Sequence, residues 1–260
     1  MRKIVNELSG KNKTVESEQI RLNRYLAMCG ICSRREADAL IAEGRVRVDG
    51  NPAGAGMKVT GSELVLVDGK PVHPVEKEIV LAVNKPVGVV CSTDRRWGDV
   101  LIEDIVKSEE RLFYVGRLDK DSEGLILMTN QGALADAMMR GRSGHEKGYV
   151  VQVDRPVTEV FLNRMRRGVY LEELDVMTRP CRAWKTDERT FHIVLTQGLN
   201  RQIRRMCQAL GSRVRSLKRI RILNIQLAEL KSGESREITG QELAQLKRQV
   251  CGEDQTGGRS

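Results

Sequence analysis

Aromatic residues make up only 3% of this 260-residue sequence, and their scarcity disfavours two classes at the outset. A general single-strand nucleic-acid binder stacks successive bases on aromatic platforms, and a sugar-binding cleft stacks rings in the same way. No stretch approaches the roughly 18 consecutive apolar residues of a membrane span. The N-terminal MRKIVNELSGKNKTVESEQI has no apolar segment of signal-peptide length. A soluble, cytoplasmic protein without a membrane partner is expected. The three histidines, His73, His145 and His192, lie far apart and form no HExxH. Of Cys29, Cys32, Cys91, Cys181, Cys207 and Cys251, only the first two have metal-like spacing, with nothing nearby to complete four ligands. No metal is expected, and the thiols read as buried groups in a reducing compartment. A P-loop, a GxGxxG after a strand and a GxSxG are all missing; Gly54, Gly56 and Gly61 miss the dinucleotide spacing. No cofactor is expected.

What is abundant is positive charge. Lys and Arg total 44 against 35 Asp and Glu, a formal net charge of +9. The excess is concentrated: Arg201, Arg204, Arg205, Arg213, Arg215, Lys218, Arg219 and Arg221 fall within 196–221 with no acid among them. Such a run suits a polyanion, because neutralised phosphates release counterions. A solvated basic face without a partner is the alternative.

The chain reads as two units between polar ends. Residues 1–19 and the tail 251–260 are polar and aperiodic, and are expected to be disordered extensions. In 20–72, Leu22, Tyr25, Leu26 and Cys29 have helical spacing, and Ser33-Arg34-Arg35-Glu36 is a capping box opening a second helix. Gly44 stops that helix. The period then changes to 2: Arg45-Val46-Arg47-Val48 runs into the Asp49-Gly50 turn, and VRVDGNP at 46–52 is echoed by VLVDGKP at 65–71. A linker, 73–78, leads to a second core over 79–250. Strands are expected at 79–83, 88–91, 124–129, 148–153 and 190–195, and helices at 131–140, 158–167 and 200–210. The irregular alternation favours an α+β domain with a largely antiparallel sheet over a doubly wound one.

Two segments of the second unit could carry chemistry. Gly116–Gly124 is a polar loop between the apolar runs Leu112–Val115 and Leu125–Met128, so flanking strands would hold a carboxylate rigidly. The residues alone do not choose among Asp119, Asp121 and Glu123. Paired carboxylates would also suit a glycoside hydrolase, which the basic, aromatic-poor chain disfavours. Gly198–Met206 opens a helix with Asn200 as its cap, Gly211 as its stop, and Ile203, Met206, Cys207 and Leu210 as its buried stripe. Arg201 and Arg205 face away from that stripe, and Arg204 lies on its border, able to reach a cleft.

Two resemblances gather these observations. Arg21–Leu26, Gly30, Cys32–Ala37 and Gly44–Gly50 resemble the S4 RNA-binding domain. Asn84-Lys85-Pro86-Val87-Gly88, Gly116-Arg117-Leu118-Asp119, Ser122–Asn130, Lys147-Gly148-Tyr149-Val150-Val151 and Gly198–Arg205 resemble, in order, the pseudouridine synthases that modify small- and large-subunit ribosomal RNA. The resemblance implies a small S4-type α/β-hairpin module followed by a catalytic domain with a largely antiparallel mixed sheet flanked by helices. It implies a cofactor-free isomerase acting on structured ribosomal RNA, large-subunit (23S) RNA foremost, with transfer RNA open as a second substrate. It assigns Asp119 as nucleophile, Tyr149 as the ring packed on the target base, and Arg204 as the partner of that aspartate. Pairing with arginine would keep the carboxylate ionised at neutral pH. RNA-binding roles are implied for Arg21, Asn23, Arg34, Arg35 and Arg45 in the first unit, and for Arg117, Asn200, Arg201, Gln202 and Arg205 in the second. The rival is a non-catalytic RNA-binding or assembly protein, which a broken Asp, Tyr or Arg position would mark; all three stand. No heptad pattern appears, so a monomer is expected.

Overall fold

The computed structural model describes residues 19–75, 77–139 and 144–251. Of the extensions expected at 1–19 and 251–260, residues 1–18 and 252–260 lie outside the described residues, and Cys251 belongs to the last helix. The chain divides into two compact units between Pro74 and Val75.

The first unit is built from local signals. Its elements are β1 (Ile20–Arg21), α1 (Leu22–Met28), α2 (Arg34–Ala42), β2 (Val46–Val48), β3 (Asn51–Pro52), β4 (Lys58–Val59), β5 (Val65–Val67) and β6 (Lys70–Pro71). Leu22, Tyr25 and Leu26 are the buried residues of α1, at the spacing that puts them on one helical face. The capping box of α2 is formed: the Glu36 amide donates to Ser33 Oγ at 3.2 Å, and the Ser33 amide donates to the Glu36 carboxylate at 2.6 Å. The helix ends where Gly44, at φ 71°, lets the Arg45 amide turn back to the Leu40 carbonyl. The two sequence echoes become two hairpins. Asp49-Gly50 and Asp68-Gly69 both carry positive φ at the tight turns, and β2 pairs with β5 to give the order β3-β2-β5-β6. Val46, Val48, Val65 and Val67 turn one face of this sheet onto α1 and α2.

The second unit comprises β7 (Val80–Lys85), α3 (Ile102–Ile105), β8 (Phe113–Val115), β9 (Glu123–Thr129), α4 (Gly132–Met139), β10 (Lys147–Val153), α5 (Glu159–Arg167), β11 (Tyr170–Leu171), β12 (Val176–Met177), β13 (Arg182–Asp187), β14 (Thr190–Leu195), α6 (Gln202–Ala209), β15 (Val214–Ile222), β16 (Ile225–Gln226), β17 (Ser235–Glu237) and α7 (Gly240–Cys251). The main sheet runs β13-β14-β10-β15-β9-β7-β17, with β8 added to β9 and β16 to β15. Among the described strands of this sheet only the β15–β9 pair is parallel, so the sheet is mixed and largely antiparallel, in an α+β arrangement. Along β9 successive side chains alternate between two cores. Ile126 and Met128 pack with residues of α5 and α6, while Leu125 and Leu127 pack with those of α4 and α7. That explains the unbroken apolar run: β9 is buried on both faces. No helix among the described residues is long and apolar enough to cross a membrane.

Three expectations need correcting. The segment 88–91 makes only an isolated bridge, Val90 to Leu101, because Gly88 turns the chain at φ 91°. The helix expected from residue 200 begins at Gln202, because Arg201 adopts a left-handed φ of 49°. Asn200 therefore does not cap it; the Gln202 side chain accepts from the Leu199 amide at 3.0 Å instead. Most consequentially, the basic run 213–221 is not a single surface patch. From Val214 it is β15, the nine-residue strand between β10 and β9 at the middle of the sheet, with Arg219 buried while Arg213 and Arg215 stay exposed.

Candidate active site

The loop between β8 and β9 is held at both ends. The strands pair in register, Val115 opposite Leu127, and Gly116 turns out of β8 at φ 72°. Inside the loop Leu118 is buried, and the Asp119 carbonyl accepts from the Ser122 amide at 3.0 Å, closing a turn. The Lys120 carbonyl accepts from the Gly88 amide at 2.7 Å, and Lys120 Nζ pairs with Asp99 at 2.6 Å. The chain enters β9 through Gly124, at φ 107°. A Cβ there would stand 2.3 Å from the backbone oxygen of Arg219 on β15. The close parallel approach of β15 therefore requires glycine.

The start of α6 faces this loop with two arginines. Arg201 forms a two-pronged pair with Asp121, at 3.2 and 2.8 Å, and reaches Asp119 Oδ2 at 3.7 Å. Arg204 Nη2 donates to the Asp121 carbonyl at 2.7 Å and to Ser122 Oγ at 3.1 Å, with Asp121 Oδ1 at 3.3 Å. The expected pairing of Arg204 with Asp119 is thus corrected: Arg204 grips the turn after the aspartate, and the arginine beside Asp119 is Arg201. Two carboxylates two residues apart can exchange such partners without changing any sequence pattern. The hydrogen bond from Arg201, with the nearby charge of Arg204, holds the Asp121 carboxyl below its ordinary range.

Tyr149, on β10, is 9% exposed and stands opposite Arg219 in the β10–β15 register. Arg219 is 3% exposed. Its Nε donates to the Leu125 carbonyl at 2.6 Å and its Nη1 to the Arg117 carbonyl at 3.4 Å, tying both ends of the Asp119 loop. Lys85, fully buried at the end of β7, donates to the carbonyls of Pro86 and Val89 at 2.7 and 2.8 Å. Burial lowers its pKa, opposed by the charges of Asp119 and Asp121. Neither Lys85 nor Arg219 is singled out by charge counting, since both spend their donors on backbone oxygens.

A cleft of about 670 Å³ opens here. Asp119, Tyr149, Arg117, Asn200, Arg201 and Gln202, six of the residues expected at the site, all line it. Arg204 lies behind the loop. Arg205 turns aside, donating to Asn200 at 3.1 and 3.3 Å and pairing with Glu173. In the first unit Arg21, Arg34 and Arg35 are exposed. Asn23 instead donates to Asp38 at 2.9 Å, joining the two helices. Arg45 pairs with Asp68 at 2.8 and 2.6 Å, fastening the end of α2 to the second hairpin. Among the described residues no group of three His, Cys, Asp or Glu could hold a metal ion.

An S4 domain preceding a mixed sheet whose central cleft holds a loop aspartate, a buried tyrosine and arginine is a combination with known counterparts. Residues 79–209 match the RNA pseudouridylate synthase family and 20–65 match the S4 domain. The chain belongs to the RNA pseudouridylate synthases, and it is a pseudouridine synthase acting on RNA. It is 44% identical over 229 residues to the dual-specificity RNA pseudouridine synthase RluF of Escherichia coli (strain K12), covering 87% of this chain and 78% of that one. Ribosomal large subunit pseudouridine synthase B of Bacillus subtilis (strain 168) is 34% identical, with 87% and 95% covered. A crystal structure of a pseudouridylate synthase superposes with a TM-score of 0.65 at 26% identity, covering 87% of this chain and 99% of that one.

Proposed function

We propose that this enzyme converts a specific uridine of large-subunit (23S) ribosomal RNA to pseudouridine in the cytoplasm, with Asp119 as nucleophile. The observation that carries this reading is the shared cleft: Asp119 sits on a braced turn at its wall, and Tyr149 presents a nearly buried ring to the same space. The large-subunit target is supported by a relative named for that activity. The uridine must leave its stack to reach the cleft, at a cost of a few kcal/mol that is lowest in a loop or bulge. Tyr149 offsets part of that cost by packing on the base. Arg204 acts as a positioning residue, fixing the 121–122 turn so that Asp119 faces the sugar and base. Arg201, paired with Asp121, places its guanidinium 3.7 Å from the Asp119 carboxylate. Arg21, Arg34 and Arg35 supply phosphate contacts that set register on the RNA.

Pseudouridine mapping of ribosomal RNA by carbodiimide primer extension, in cells with and without the gene, tests the reading. One site should vanish, return with the wild-type chain and stay absent with Asp119→Ala, while RNA affinity of that variant remains within about twofold. Product formation by Asp119→Ala would sink the nucleophile, and an unchanged ribosomal map would sink the target. Transfer RNA belongs in the same map, because one relative's name declares a dual specificity.

A further inference from the structure

Lys147 and Arg219 line the cleft, as does Arg117, and among the described residues neither Lys147 nor Arg219 is paired with a carboxylate. Lys147 opens β10, two residues before Tyr149 and therefore on the same face of the strand. Its cross-strand neighbours are Leu195 and Ile222, both apolar and both lining the cleft. Its ammonium has one long contact, 3.4 Å to the His145 carbonyl. Arg219 Nη2 is buried with no partner at all. Burial, and next the charge of Arg219, push the Lys147 ammonium below its usual range. Holding unpaired charge in an apolar wall is costly, and the arrangement becomes favourable only when the cleft receives negative charge.

The isomerisation generates such charge. When Asp119 bonds to C1′ and the C1′–N1 bond breaks, the electron pair of that bond leaves with the base, as a uracil anion with charge shared among N1, O2 and O4. The base then turns, C5 attacks C1′ with the electron pair of the new C1′–C5 bond and expels the Asp119 carboxylate again, the C5 proton leaves and N1 takes one up. Nothing is oxidised or reduced. We propose that Lys147 is a further catalytic residue, binding a carbonyl oxygen of the detached uracil and keeping that anion in the cleft while it turns. The inference rests on the reading that places the target base against Tyr149. A base packed there would lie beside the lysine of the same strand face.

The test uses the full chain and an unmodified large-subunit ribosomal RNA transcript carrying tritium at uridine C5, whose release marks product. Lys147→Met, which keeps the length of the side chain, should slow single-turnover release by about 100- to 1,000-fold. Its RNA affinity should stay within twofold and the salt dependence of binding should be unchanged. Lys147→Arg should recover a measurable part of the rate, and Lys147→Met should melt no lower than wild type. Release by Lys147→Met within threefold of wild type would overturn the inference. So would weaker binding with a salt slope reduced by about one, the mark of a phosphate contact. Equal slowing in the Met and Arg variants with a lower Tm would assign Lys147 to packing and also overturn it. A wild-type chain that releases no tritium removes the functional reading itself. Normal wild-type release beside an unaffected Lys147→Met removes only the role of the lysine.

Discussion

Arg35 stands exposed on the first turn of α2, whereas Arg219, on β15 of the other unit, is 3% exposed and donates to the carbonyls of Leu125 and Arg117. The first can meet a phosphate without giving anything up. The second is part of the frame, since removing it would strand buried acceptors. Arg45 shows that the division does not simply follow the unit: it is on the surface, yet Asp68 and Glu43 occupy its guanidinium. Positive charge in this chain therefore does two jobs, and a charge count reports their sum.

The comparison can be broken most sharply at the frame. Gly124→Ala places a Cβ against the Arg219 backbone at a φ of 107°. It should cost about 3 kcal/mol or more, lowering Tm by on the order of 10 °C; an unchanged melting curve would refute the close approach. Arg219→Met should cost about 1–3 kcal/mol through the acceptors left behind and slow product formation, while the salt dependence of RNA binding stays as in wild type. A reduced salt slope would make Arg219 a phosphate ligand after all. Arg35→Ala should do the reverse, lowering that slope by about one with Tm unmoved, and Arg45→Ala should leave the slope unchanged because its charge is already matched.

The smallest effect concerns Asp121. Its folded pKa lies below the ordinary 3.8 because Arg201 donates to the carboxylate. The pair's contribution to stability is full above that ordinary value and is lost as pH falls through the lowered folded value. The Tm gap between wild type and Asp121→Asn should therefore be widest near neutrality and close in acid below about pH 4. A gap independent of pH would mean the aspartate acts through its backbone contacts alone.

What was legible in the sequence was local. The Ser33–Glu36 box, the two Asp-Gly turns and the apolar stripe of α6 depend on residues a few positions apart, and they formed as read. The turn at Gly88, which leaves 88–91 without a strand, and the identity of β15 were not legible. A strand rich in Arg and Lys looks like surface until its partners are known, and those partners, on β9 and β10, lie far off in sequence. The same reason hid the arginine partners in the site. Asp119 and Asp121 share one loop, and only the approach of α6 decides that Arg204 grips the turn while Arg201 flanks the nucleophile candidate. Gly124 carried a usable signal, a glycine at the head of an apolar strand, which points to close backbone approach.

The parallel seam between β9 and β15 also sets an order of assembly. Leu125 and Arg219 are 94 positions apart, whereas every pairing in the first unit is complete by Pro71. During synthesis the S4 domain can fold as soon as it emerges, while the catalytic cleft waits for β15 to be inserted. A nascent or truncated chain ending before residue 219 would thus lack the strand that completes the cleft, and competence for chemistry arrives only once β15 has been made.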